Sequence, residues 1–173
     1  MEALKLKRFL KNKRASEYAR LVTLEKLYPE YKQFNLISSI DNKDDRGETA
    51  LSEACFNGHY EVVKFLLELG AKVNLRVSDG WTPLMVACTE GYTRIVKLLV
   101  DAGADVNVGN VCDSTALMKA VDYGNIKIVK LLLEAGADVN AMNDRRETAL
   151  DIAKRRRKYS IVKLLLNYGA KEE

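Results

Sequence analysis

The sequence predicts an all-α solenoid: four stacked helix–turn–helix units joined by extended finger turns, preceded by a helical cap. Three observations carry this. One phrase recurs every 33 residues, as TALSEA from Thr49, TPLMVA from Thr82, TALMKA from Thr115 and TALDIA from Thr148. A second follows each copy at constant distance: VVKFLLELGA, IVKLLVDAGA, IVKLLLEAGA and IVKLLLNYGA, with its glycine at Gly70, Gly103, Gly136 and Gly169. A fixed period of this length means stacked supersecondary units, each burying its apolar face against its neighbours.

The elements follow in chain order. Residues 1–43 read as a basic N-terminal extension and helical cap. Residues 1–14 set Leu4, Leu6, Phe9 and Leu10 among lysines and arginines and read as a short helix. Ser16 opens a second helix with Tyr18, Leu21, Val22, Leu24 and Leu27 inward, and Pro29 breaks it. Tyr31, Phe34, Leu36, Ile37 and Ile40 supply a further apolar set. An open solenoid end exposes a core face, so this degenerate half-repeat serves as its cover. The four repeats then occupy 44–76, 77–109, 110–142 and 143–173.

The second copy illustrates one unit. Thr82 caps the first helix, its hydroxyl accepting from an unpaired backbone N–H. Pro83 follows where a helix tolerates proline. Leu84 and Ala87 share one face, and the small Ala lets the neighbouring helix approach. Gly91 ends this helix in a left-handed conformation. Ile95, Val96, Leu98 and Leu99 form the stripe of the second helix, which Gly103 stops. Asn107 and Asp79-Gly80 are turn residues of the fingers.

The T-x-L-x-x-A phrase, with GADVN at Gly103–Asn107 and Gly136–Asn140 and GAKVN at Gly70–Asn74, resembles the ankyrin repeat. The resemblance covers roughly residues 44–170. Departures from it are specific. Arg157 replaces the helix-joining glycine of Gly58, Gly91 and Gly124. Asp113 and Arg146 replace the finger glycine of Gly47 and Gly80. Arginine tolerates positive φ poorly, so the last repeat is expected to be the least regular. The histidine that relatives often carry after the Leu of the first phrase is Ser52, Met85, Met118 and Asp151 here. Any inter-repeat bonds that histidine makes are therefore absent.

The resemblance also implies where a partner lies: on the concave side, along the fingers and the exposed face of the first helices. The matching variable positions are Arg46, Glu48, Phe56 and Asn57 in the first copy. They are Asp79, Trp81, Thr89 and Glu90 in the second, and Cys112, Ser114, Asp122 and Tyr123 in the third. The fourth gives Arg145, Glu147, Arg155 and Arg156. Trp81 is the only tryptophan, and its equivalents are Glu48, Ser114 and Glu147. An aromatic ring among polar equivalents is not demanded by the core, and Trp and Arg are enriched at interface hot spots.

Composition excludes several function classes. The chain is 47% apolar, which argues against wholesale disorder. No apolar run approaches the ~20 residues a membrane helix needs. Charges interrupt the N-terminus before a signal-peptide core can form, so the sequence predicts a soluble cytoplasmic protein. Residues 1–43 hold 10 Lys and Arg against 5 Asp and Glu, while residues 44–173 hold 18 against 19, so the basic excess is N-terminal. A second basic cluster runs from Lys154 to Lys158.

Cys55 and Cys88 are equivalent places in successive repeats. Stacked helices set them about 8–10 Å apart, beyond the ~7 Å a disulfide spans, so both read as buried small hydrophobes. Cys112 reads as exposed, and unpaired thiols fit a reducing compartment. The single histidine, His59, sits between two helices in a structural place. With no phosphate loop, C-x-x-C or nucleophile elbow, the sequence predicts no enzyme and no cofactor or metal.

The expected function is a monomeric, non-catalytic protein–protein interaction module with its concave groove centred on Trp81. The alternative is a module for a polyanion, such as nucleic acid or an acidic surface, held by the basic N-terminal segment and Arg155–Lys158.

Overall fold

The computed structural model of this chain describes residues 29–35 and 39–172. The helices expected before Pro29, and Leu36 and Ile37, lie outside the described residues. Eight α-helices follow in pairs: α1 (Ala50–Phe56) with α2 (Tyr60–Glu68), α3 (Pro83–Glu90) with α4 (Thr93–Asp101), α5 (Ala116–Tyr123) with α6 (Ile126–Glu134), and α7 (Ala149–Arg155) with α8 (Tyr159–Asn167). A 3-10 helix, Pro29–Phe34, precedes them. Each first helix packs on the first helix of the next repeat, and each second helix on the next second helix.

Local chemistry sets the helix starts. Thr49, Thr82, Thr115 and Thr148 each accept, through Oγ1, the N–H three residues on, at 3.2–3.4 Å. In the first and last repeats the third residue reciprocates: Ser52 Oγ and Asp151 Oδ2 accept the N–H of Thr49 and Thr148. Met85 and Met118 hold this place in the middle repeats and are buried instead. The repeated leucines and alanines, Leu51 and Ala54 through Leu150 and Ala153, are all buried. Each buried leucine contributes about 2–3 kcal/mol of apolar transfer.

A ladder of asparagines ties the repeats together. Asn74 Nδ2 donates to the Gly103 carbonyl (3.2 Å) and its Oδ1 accepts from the Asp105 N–H (2.9 Å). Asn107 does the same to Gly136 and Asp138, and Asn140 to Gly169 and Lys171. Asp41 stands one period before Asn74, and its Oδ1 accepts from the Lys72 N–H (2.9 Å). The repeat register thus extends back ahead of Asp44. Tyr31 and Phe34 are fully buried there, and Tyr31 Oη hydrogen-bonds His59 Nδ1 at 3.1 Å. That bond is the structural place expected for His59.

The helix-joining position explains where glycine is required. Gly58, Gly91, Gly124 and Arg157 all have positive φ, from 56° to 82°. A side chain of the next repeat lies over each of the three glycines. An added Cβ would stand 2.6 Å from the Tyr92 ring at Gly58, 3.3 Å from the Asn125 amide at Gly91 and 2.8 Å from Lys158 Nζ at Gly124. Among the described residues no further repeat covers Arg157, so its side chain has room and only the backbone conformation is unfavourable. Arg146, at φ 60°, is the finger counterpart. The last repeat therefore keeps the shape of the others. Its irregularity is strain, about 1–2 kcal/mol at each arginine, rather than altered geometry.

Candidate interaction surface

Three of the four fingers are built by one side chain each. Asp44 Oδ1 accepts the N–H groups of Arg46 (3.0 Å) and Glu48 (2.8 Å). Asn110 does so for Cys112 and Ser114, and Asn143 for Arg145 and Glu147. In the second repeat this place is Val77, which has no acceptor and is buried. The chain instead makes a 3-10 turn, Ser78–Gly80, with Asp79 at φ 54°. The Ser78 hydroxyl donates to the Arg46 carbonyl and ties this finger to the preceding one. Aspartate tolerates the left-handed region better than most residues.

Beside this irregular finger a cleft of about 540 Å³ opens between the first two repeats. Arg46 and Glu48 border it from the first finger, Phe56 from the end of α1, and Thr89 and Glu90 from the end of α3. Asp79 and Trp81 border it from the second finger, with Val77 and Val86 between them. Phe56 is 56% exposed. Trp81 is less exposed than a free finger residue: it rests against the core, and Lys119 Nζ stands 4.7 Å from its ring centroid. The Thr89 hydroxyl is the one buried side-chain polar atom among the described residues with no hydrogen-bond partner.

The rim of this cleft is acidic. Among the described residues that line it Arg46 is the one cation, and it is committed to Asp44 (3.0 Å) and Glu53 (3.3 Å). Burial raises the Asp44 carboxyl. The hydrogen bonds from the Glu48 N–H and from Arg46 outweigh that and hold it below its ordinary range. Asp79 and Glu90 are exposed and form no ion pair among the described residues.

A second cleft, of about 290 Å³ and polar, lies between the third and fourth repeats. It gathers Cys112, Ser114 and Asp122 with Arg145, Glu147, Arg155 and Arg156. One ion pair crosses it, Arg156 to Asp122 at 2.6 Å, and a second lies along the fourth repeat, Arg155 to Glu147 at 3.1 Å. The Asp122 carboxylate raises the Arg156 guanidinium above its ordinary value. Lys119 lines this cleft while stacking on Trp81, so the two residues stand at the boundary between the clefts. Asn57 and Tyr123 border neither cleft. Asn57 turns its amide back to the Glu53 carbonyl at 2.9 Å, and Tyr123 is 58% exposed at the end of α5.

Sequence reasoning missed one whole register: Glu53, Val86, Lys119 and Ile152, the place just before the repeated alanine. All four line a cleft. The available signal was that this place varies in chemistry among four copies whose core places do not. Elsewhere, Cys55 and Cys88 are free and buried, and burial pushes both thiols up. Cys112 is exposed. Among the described residues no cluster of His, Cys, Asp and Glu could hold a metal ion. None of the described helices is long and apolar enough to cross a membrane.

The family model for ankyrin repeats, which spans three copies, matches residues 15–110 and again 102–173. Its first match begins ahead of the four registered copies, in agreement with the place Asp41 takes in the asparagine ladder. Between them the two matches cover nearly the whole sequence, and this chain belongs to the ankyrin repeat family.

Proposed function

We propose that this chain is a non-catalytic interaction module that holds a protein partner along its concave face, with Trp81 as the central anchor. Ankyrin repeats are generally protein–protein interaction modules and typically non-catalytic. The observation that carries the reading is the apolar cleft beside the irregular second finger, floored by Trp81, Val77 and Val86. The core does not require these residues in its repeat pattern, and aromatic anchors in pockets carry much of the energy of interfaces. Buried Tyr31 and Phe34 support residues 1–43 as a cap on this module, ahead of repeats at 44–76, 77–109, 110–142 and 143–173. The free thiols favour a reducing, cytoplasmic setting.

The competing polyanion reading loses ground to the ion pairs. Arg155 and Arg156 are each paired with a carboxylate, and Lys154 Nζ lies 3.0 Å from Glu172. Hydrogen exchange on the chain with and without a bound partner tests the proposal. New protection is expected on the fingers and on α1, α3 and α5, with affinity only mildly dependent on salt. Protection confined to residues 1–43 and 154–158, with a steep salt dependence, would favour the polyanion instead.

A further inference from the structure

We infer that the cleft between the first two repeats is a receptor for a polypeptide segment that presents a large apolar side chain next to a lysine or arginine. The inference rests on the concave-face reading and specifies what that face selects. The floor, Trp81, Val77, Val86 and Phe56, offers apolar area that an aliphatic or aromatic side chain would remove from water. The rim carries four carboxylates, Glu48, Glu53, Asp79 and Glu90, against Arg46 alone. That arginine is already held by Asp44 and Glu53, so it offers little to an incoming anion. Among the described residues Asp79 and Glu90 pair with no cation, and they stand at the two sides of the cleft, on the finger and at the end of α3. An incoming carboxylate would meet like charge there, and an incoming cation would meet two unpaired partners.

The second cleft makes the selection directional. It sets Lys119, Arg145, Arg155 and Arg156 against Asp122, Asp144 and Glu147, a near balance of charge, so a basic segment is attracted more strongly at the first two repeats. The cleft volume of about 540 Å³ lies within the ~300–1,000 Å³ of sites that enclose a ligand of several side-chain equivalents. Thr89 in its wall carries a buried hydroxyl with no hydrogen-bond partner among the described residues.

The test uses the full chain and a phage-displayed library of random dodecapeptides. Selected peptides are synthesised and titrated while the emission of Trp81, the only tryptophan, is followed. The inference predicts selected sequences that share a large apolar residue beside Lys or Arg and that shift Trp81 emission. The double variant Asp79→Asn/Glu90→Gln should weaken their binding about tenfold, with the melting temperature unchanged. Asparagine keeps the left-handed turn at position 79. Selection of acidic or uncharged peptides that still shift Trp81 emission would overturn this inference and leave the concave-face reading standing. So would binding insensitive to the double variant. Failure to select any peptide, or selection of peptides that leave Trp81 emission unmoved, would count against both.

Discussion

Replacing Arg157 by glycine should stabilise the chain. Arg157 is held at φ 56°, a conformation that costs a non-glycine L-residue about 1–2 kcal/mol. Glycine removes that cost but loses about 0.4–1 kcal/mol of backbone entropy on folding, leaving a net gain of about 0.5–1 kcal/mol. Arg157 is exposed and makes no ion pair among the described residues, so the substitution breaks none there. For a chain of 173 residues the gain corresponds to roughly 1–4 °C in melting temperature. In a repeat protein it should appear most clearly as slower hydrogen exchange in α7 and α8. Gly58→Ala is the counterpart. It has the same sign of φ, but its Cβ would stand 2.6 Å from the Tyr92 ring, so it should destabilise where Arg157→Gly stabilises. A fall in melting temperature for Arg157→Gly, or faster exchange of α8, would refute the strain argument.

Three further outcomes are expected. Asn107→Ala removes two hydrogen bonds between the second and third repeats and should cost about 1–2 kcal/mol in urea denaturation. A thiol reagent should modify Cys112 alone under native conditions and reach Cys55 and Cys88 only on unfolding, because the latter are buried with thiols pushed up. Asp151 is held below its ordinary range by the Thr148 hydroxyl and N–H. Its capping contribution is therefore present above the unfolded value of about 3.9 and lost as pH falls through the folded one. The melting-temperature difference between the native chain and Asp151→Ala should accordingly close below about pH 4.

The repeat architecture was legible because its determinants are local and occur four times. Threonine caps, paired helices and left-handed turns follow from the residue at each place, and Arg146 and Arg157 adopt the φ their glycine equivalents predict. Contacts between repeats were not legible. Asn107 reads as a turn residue in one copy, and only the stacked structure places its amide against Gly136. The Trp81–Lys119 stack joins different register places of adjacent repeats, so the 33-residue period gives no hint of it. Nor does the period reveal the first cleft, which depends on one lost acceptor: Val77 stands where Asp44, Asn110 and Asn143 each fold a finger.

The central claim is that Trp81 belongs to the surface that binds rather than to the core that folds, and two substitutions measured in parallel test it. Trp81→Ala should weaken a captured partner about thirtyfold by calorimetry, the typical cost of truncating an aromatic hot spot. Its melting temperature should fall only a few degrees, from the lost packing and the Lys119 stack. Leu99→Ala, at a fully buried place, should instead cost about 2–5 kcal/mol of stability while the surviving folded fraction binds with native affinity. A Trp81→Ala chain that folds and binds its partner as tightly as the native one would contradict the account.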